Sequence, residues 1–176
     1  MKTLRLLLPI FLFFTFVNTL HADVKLGIID ANKIGEESIA FKNVIGKIKS
    51  KMEELDKNAM KIQKEFARRY QALEKQKNVL SADEYNKKSN VLNTEAMKED
   101  KILYGQRTNL EKAYKKANAA LSEKVKEIIE KISQKKGITI VFDKSSTIYS
   151  NTSIDVTEEV LSEVNKQLKS IDVNLS

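Results

Sequence analysis

The chain has 176 residues, with 31 Lys and Arg against 24 Asp and Glu, which gives a net charge of +7 near pH 7. It contains no Cys and no Trp, one His (His21) and one Pro (Pro9). The cysteine count excludes disulfide staples. Without Cys, and with a single His close to the N-terminus, the usual zinc sites and the Cys/His or Ser/His nucleophile systems lack their residues, so neither enzymatic activity nor a cofactor is expected.

Residues 1–22 have the pattern of a secretory signal peptide. Lys2 and Arg5 precede the apolar run LLLPIFLFFTFV, and NTLHA follows it. The run is short for a membrane span and contains a proline, so cleavage after Ala22 is favoured over an uncleaved anchor. The exported chain, residues 23–176, would retain 29 basic residues against 24 acidic ones. Such a surface attracts polyanions, anionic lipid headgroups or acidic protein segments, although Lys and Glu also simply solvate long helices.

The first predicted element after residue 22 is a strand, VKLGIID at residues 24–30, and a long helix follows it. The helix is indicated by apolar residues that recur at alternating spacings of four and three, with Lys and Glu at most other positions. These residues are Phe41, Ile45, Ile48, Met52, Leu55, Ala59, Ile62 and Phe66. A heptad pattern without proline predicts an uninterrupted helix that packs against a second helix.

Ser81 and Glu84 have the spacing of a capping box, so we expect the second helix to begin at Ser81. Its apolar face is Tyr85, Leu92, Ala96, Leu103, Leu110, Ala113, Ala117, Leu121, Val125, Ile128 and Ile132. Lys135, Lys136 and Gly137 supply the cationic last turn and the glycine stop of a helix C-terminus. The prediction for residues 36–136 is an antiparallel helical hairpin, hereafter the arm, about 65 to 80 Å long at 1.5 Å per residue. Gly105 is either incidental or a place where the arm bends.

Residues 23–35 and 137–176 are predicted to form a β-rich body. ITIVFD at 138–143 and STIYSN at 146–151 would pair as a hairpin through the intervening turn. Thr157 is the expected N-cap of a short helix, and IDVNLS at 171–176 a loose tail. About three short strands cannot bury a core alone, so several copies should combine their sheets around an axis. The residues expected in this oligomer core are Leu26, Ile28, Ile140, Phe142 and Ile148.

The order of these features resembles the Skp (OmpH-like) family of periplasmic chaperones over the whole exported chain. The most specific part is C-terminal, where GITIVFDKSSTIYSN precedes DVTEEVLSEVN. The resemblance implies an α+β homotrimer in the periplasm whose strands form a central body, from which three helical arms project around a cavity. It also implies ATP-independent holding of unfolded outer-membrane proteins, and contact with lipopolysaccharide or anionic lipid through basic arm residues. No specific binding of nucleic acid is expected.

The arm carries the candidate contacts for a client or a polyanion. Residues 61–77 hold six cations and two acids, a local net charge of +4. The candidate residues on the two helices are Lys61, Lys64, Arg68, Arg69, Tyr70, Lys75, Lys77, Lys87 and Lys88. Asp30 and Asp143 both end strands and would be turn residues far more often than a functional carboxylate pair. Two other interpretations of the chain stay open, a secreted coiled-coil adaptor and a polyanion-binding protein.

Overall fold

The structure, a computed structural model, describes residues 24–169. In chain order its elements are β1 (Leu26–Ile29), α1 (Ala31–Glu37), α2 (Ile39–Lys75), α3 (Ala82–Lys136), β2 (Ile140–Asp143) and α4 (Thr157–Gln167), with single 3₁₀ turns at Lys144–Ser146 and Thr152–Ile154. The predicted long helical hairpin beside a small sheet and a short C-terminal helix is therefore confirmed. The predicted signal peptide and the tail at 171–176 lie outside the described residues. Between residues 24 and 169, no helix combines the length and apolarity that a membrane span needs.

Helices α2 and α3 form the arm, and local signals in the sequence fix both ends of α3. At its start the Ser81 side chain accepts a hydrogen bond from the backbone N–H of Glu84, and the Glu84 side chain accepts one from the backbone N–H of Ser81. At its end Gly137 adopts a left-handed conformation with φ of 67°. The N–H of Ile138 then reaches back to the carbonyl of Ser133 over 2.8 Å. These contacts satisfy the backbone groups that a helix leaves unpaired at its ends.

The apolar face predicted for α3 is confirmed, whereas the strict heptad predicted for α2 is wrong near the body. The buried residues of α3 all lie on that face, and they are Leu92, Leu110, Ala117, Leu121, Val125, Ile128 and Ile132. On α2, Ile45 is half exposed and Val44 is buried in its place. An α-helix has 3.6 residues per turn, so its buried stripe drifts away from a seven-residue repeat.

The sheet of the body pairs β1 with β2 in parallel, with Leu26 opposite Ile140 and Ile29 opposite Asp143. The predicted hairpin between ITIVFD and STIYSN is wrong. The Asp143 side chain accepts a hydrogen bond from the N–H of Ser145 at 2.8 Å and starts a 3₁₀ turn, and the chain then returns to β1 only at Asp155, by a bridge to Ile28. Strand β1 precedes the arm in the chain and β2 follows it, so their pairing joins the two ends of the hairpin at its base.

Helix α1 was not predicted, and the N-cap predicted for α4 is wrong. Asp30 accepts a hydrogen bond from the N–H of Lys33 at 2.9 Å and so caps α1, a seven-residue helix. Thr157 is the first residue of α4 and not its N-cap. Its hydroxyl instead accepts from the N–H of Asp30 at 2.9 Å, while Asp155 accepts from the N–H of Thr157. The first turn of α4 carries the acidic residues Glu158 and Glu159.

Two groups of buried apolar side chains hold these elements together. The body core joins α1, the end of α3 and α4, through Ile34, Val125, Ile128, Ile132, Val156, Val160, Leu161 and Val164. The base of the arm has a second cluster, formed by Ala40, Val44, Ala117 and Leu121. Phe41 and Leu168 pack against both groups and so connect the arm to the body.

Candidate functional site

The outer half of the arm has a thin apolar interface. Beyond the base of the arm, its buried apolar side chains are Leu55 and Leu110 near the middle and Leu73 and Leu92 near the tip, each two lining one cleft. Polar side chains cross between the helices instead. Arg107 contacts Asp56 at 2.7 Å, and Lys88 donates to the Gln76 side chain at 3.1 Å. Because these groups are exposed, each contact contributes little stability, and the outer arm is a compliant surface.

Two residues predicted to contact a client also hold the arm together. The Arg69 guanidinium pairs with Glu95 on α3 and lies 5.2 Å from the centre of the Phe66 ring. The Tyr70 hydroxyl donates to Asn93 at 2.8 Å. Sequence alone could not show these partners, since they depend on the alignment of two antiparallel helices. Phe66 is only partly buried, as a residue at the edge of the interface would be.

Four of the predicted cations form one outward face of α2. Lys61, Lys64, Arg68 and Lys75 are spaced by three, four and seven residues, which places them on the same side of a helix. All four are exposed. Their spacing leaves the apolar interface on another side of the helix. The structure thus separates this outward row from Arg69 and Tyr70, the predicted residues of α2 that reach across to α3.

Near the tip, a cleft of about 450 Å³ combines cations with apolar surface. Arg69, Lys87 and Lys88 line it together with Leu73, Ala72, Gln76, Val91 and Leu92. Leu73 and Leu92 are buried beneath it, whereas Val91 is 57% exposed. Such a surface suits a flexible chain that offers apolar side chains and carboxylates together. The lysines were predicted from charge, but their placement beside Arg69 and Leu73 of α2 requires the folded hairpin.

Hydrogen bonds around the tip turn shift the titration of several groups. Tyr85 donates to Glu74 at 2.7 Å, which raises the pKa of Tyr85. The same bond, together with Lys77 at 3.2 Å, lowers the pKa of Glu74, and Glu74 in turn raises the pKa of Lys77. Lys77 also lies 5.9 Å from the centre of the Tyr85 ring. Lys77, one of the predicted contact residues, therefore makes its contacts within the turn that joins α2 to α3.

Exposed apolar side chains outside the interface were missed by sequence reasoning. Along the arm, Met60, Val79, Met97 and Tyr104 are each more than 60% exposed. Their sequence signal was available, because Met60, Met97 and Tyr104 lie off the predicted apolar faces and Val79 lies in the turn between the two helices. Large apolar side chains on a highly charged helix add weak contact surface without adding to the core.

The body presents a second exposed apolar surface. Of the five residues predicted for an oligomer core, Leu26, Ile140 and Phe142 are 40 to 43% exposed and Ile148 is fully exposed. Ile28 differs, since it is 3% exposed within one chain, and the expectation that it lacks cover there is wrong. Tyr149, beside Ile148, is 84% exposed and was not predicted. These residues lie on or directly after the two-stranded sheet.

The strand-ending carboxylates serve as caps of short turns. Asp30 caps α1, and Asp143 caps the 3₁₀ turn that follows β2. Hydrogen bonds from the side chain and backbone of Ser145 lower the pKa of Asp143. This confirms the interpretation of both residues as turn residues.

Comparison with known proteins places this architecture in a family. The family model for "Outer membrane protein (OmpH-like)" matches residues 25–164. The fold is similar to the crystal structure of a proposed outer membrane chaperone (OmpH-like) from Caulobacter crescentus CB15, with a TM-score of 0.78 and 15% sequence identity over 84% of this chain and 87% of that one. No curated protein sequence matches this one significantly. The family match covers β1, the whole arm, β2 and most of α4, and the chain therefore belongs to the OmpH-like family.

Proposed function

We propose that this protein is an ATP-independent periplasmic holdase that keeps unfolded outer-membrane proteins from aggregating before they insert into the membrane. Three copies would join through their sheets, and the three arms would enclose the client. The observation that carries the proposal is the outer arm, where cations and exposed apolar side chains lie side by side on a thin two-helix scaffold. Membership of the OmpH-like family supports it.

The surface of the arm is suited to holding a chain rather than recognising a shape. Met60, Met97 and Tyr104 are exposed singly, so each offers a weak contact to any apolar segment. A set of weak contacts on a compliant arm can accept many conformations, whereas one rigid pocket would select among them. The row from Lys61 to Lys75 adds long-range attraction for acidic segments and so speeds encounter.

The exposed apolar surface of the body is the argument for a trimer. A sheet of two short strands is marginal by itself, and Leu26, Ile140 and Phe142 remain substantially exposed on it. A second and third copy would cover this apolar surface and the free edges of the strands. The arms would then leave the body from a common centre.

The direct test dilutes a urea-unfolded outer-membrane β-barrel protein into buffer with the purified protein, without nucleotide, and follows light scattering. We expect aggregation to be suppressed at a fixed ratio of trimers to clients. A matched variant, Met60→Ser with Met97→Ser and Tyr104→Ser, removes exposed apolar surface from the arm and should weaken suppression without changing the fold. Unchanged aggregation with the native protein would contradict the proposal and favour a coiled-coil adaptor.

A separate experiment tests the role of the positive charge on the outward face of α2. Replacing Lys61, Lys64, Arg68 and Lys75 by Gln should slow client capture and make it less sensitive to salt. A polyanion-binding protein makes a different prediction, in which binding of the polyanion weakens steeply with salt and the client is not protected. The two outcomes separate this alternative from the holdase.

Assembly is tested by Phe142→Asp, measured by light scattering or mass photometry. We expect the trimer to dissociate, because a carboxylate at this position would be buried without a partner between copies. Tyr104→Asp on the arm is the control and should leave the assembly intact. A native protein that stays a single folded chain at all concentrations would contradict the trimer, and normal assembly of Phe142→Asp would remove Phe142 from its core.

A further inference from the structure

Helix α2 of the arm joins the body at one residue, Ser38, whereas α3 runs without a break from the arm into the body core. Helix α1 ends at Glu37 and α2 begins at Ile39, and Ser38 between them has an extended conformation with φ of −65° and ψ of 131°. Its N–H donates to the carbonyl of Ile34 at 3.1 Å, and its own carbonyl accepts from the N–H of Lys42 at 3.0 Å. The two helices therefore meet at one residue, and any change of direction between α1 and α2 must occur at its backbone.

Ser38 occupies the N-cap position of α2 but does not perform the usual capping contact. Serine at this position normally accepts a hydrogen bond from one of the first N–H groups of the helix. Here the side chain makes no such bond. Within the described chain the Ser38 hydroxyl is completely buried and has no hydrogen-bond partner. The start of α2 needs another acceptor, because its first N–H groups have none within the helix.

The acceptor comes from α4, at the other end of the chain. The side-chain oxygen of Asn165 accepts a hydrogen bond from the N–H of Ile39 at 2.8 Å. One turn further along α2, the Asn43 side chain donates to the carbonyl of Lys169 at 2.9 Å. Between these two bonds Leu168 packs against the cluster at the base of the arm. Two hydrogen bonds and one apolar contact thus fix the end of α4 to the first turns of α2.

We infer that α4 sets the direction in which the arm leaves the body, with Asn165 acting as the N-cap that Ser38 does not provide. Helix α2 has 37 residues and is about 55 Å long at 1.5 Å per residue. A rotation of about 10° at Ser38 would therefore displace the tip by about 10 Å, by the same helix geometry. A contact at the joint is amplified along α2, so the position of the tip depends on α4, at the opposite end of the arm. The inference concerns the joint and does not require the proposed function.

The experiment measures the joint directly. The chain has no native cysteine, so spin labels at Val79→Cys, on the tip, and Thr152→Cys, in the body, report one distance by pulsed electron paramagnetic resonance. Labelled chains are diluted into unlabelled ones, so that distances between copies do not contribute. Hydrogen exchange at Ile39 and its neighbours reports the cap itself.

We expect Asn165→Ala to raise exchange at the start of α2 about fivefold, as the loss of an average N-cap would, and to broaden the distance distribution between tip and body. Asn165→Asp should restore native behaviour, because its carboxylate accepts the same bond and α2 has no acidic residue in its first turn to offset the helix dipole. Ser38→Ala is the matched control and should change neither measurement, since that hydroxyl has no partner in the described structure.

Several results would overturn the inference. One is native exchange and native distances in Asn165→Ala, and another is an Asn165→Asp variant that behaves like the alanine variant. If Ser38→Ala had a larger effect than Asn165→Ala, Ser38 and not Asn165 would be the N-cap of α2. If Asn165→Ala does not fold, Asn43→Ala still decides, because loss of its bond to Lys169 should broaden the distance distribution, and a native distribution would contradict the role of α4.

Discussion

The base of the arm and its tip are held together by different interactions. At the base, Ala40, Val44 and Leu121 are almost completely buried in one cluster. At the tip, Leu73 and Leu92 are buried outside either core cluster, and exposed pairs such as Arg69 with Glu95 connect the helices. Apolar packing gives each side chain many neighbours and a large penalty for its removal, whereas exposed polar pairs are individually weak. The same hairpin is therefore rigid where it meets the body and compliant where it would meet a client.

The largest effect is expected when a buried leucine is replaced by alanine at the base of the arm, with the same replacement at the tip as the comparison. Leu121→Ala should lower the free energy of unfolding by about 2 to 5 kcal/mol, because it leaves a cavity that the packed base cannot close. Leu92→Ala should lower it less, since the sparsely packed tip can collapse around the missing atoms. Urea unfolding at a fixed chain concentration measures both. Equal losses would contradict the comparison between base and tip.

A smaller effect is expected at the tip turn. Ser81→Ala removes the capping box and should reduce the stability of the start of α3 by about 0.5 to 2 kcal/mol, seen as faster hydrogen exchange at residues 82–86. Bonds from the Ser81 side chain and backbone lower the pKa of Glu84. The stabilisation is therefore present above the ordinary glutamate pKa of 4.5 and is lost as the pH falls through the lowered value.

The control for the capping box is made at the other end of the same helix. Base residues around Ile128 should exchange at native rates in Ser81→Ala, since the cap acts within the first turn. A difference between native protein and variant that does not shrink in acid would show that Glu84 takes no part.

The smallest effect is expected for a single polar bridge. A double-mutant cycle with Arg69→Gln and Glu95→Gln should give a coupling of about 0.2 to 1 kcal/mol, because both side chains are exposed. Added salt should reduce the coupling. The cycle is measured by urea unfolding, with Lys51 and Glu54, a pair within α2, as the comparison. A coupling of several kcal/mol, insensitive to salt, would mean that the tip is as tightly held as the base.

Local sequence signals predicted the helices of the arm well. The start of α3 at the Ser81 capping box and its end at Gly137 depend on residues within a few positions of each other, so the sequence shows them directly. The apolar spacing of α3 likewise predicted its buried face. For the candidate site, the cations of the arm were identified from charge. The exposed strand residues Ile140 and Phe142 were identified because one chain has too few strands to cover them. The roles of Arg69 and Tyr70 across the arm could not be predicted, because their partners lie on the other helix.

The sequence by itself determined that this protein is a long charged helical hairpin attached to a body with too few strands, because helix periodicity, caps and composition are properties of neighbouring residues. The tertiary structure alone decided that β1 and β2 pair in parallel, that α1 separates β1 from the arm, and that Asn165 caps α2 in place of Ser38. The strand pairing and the Asn165 cap join residues more than a hundred positions apart. Their geometry follows from how the helices and strands pack, which no local pattern records.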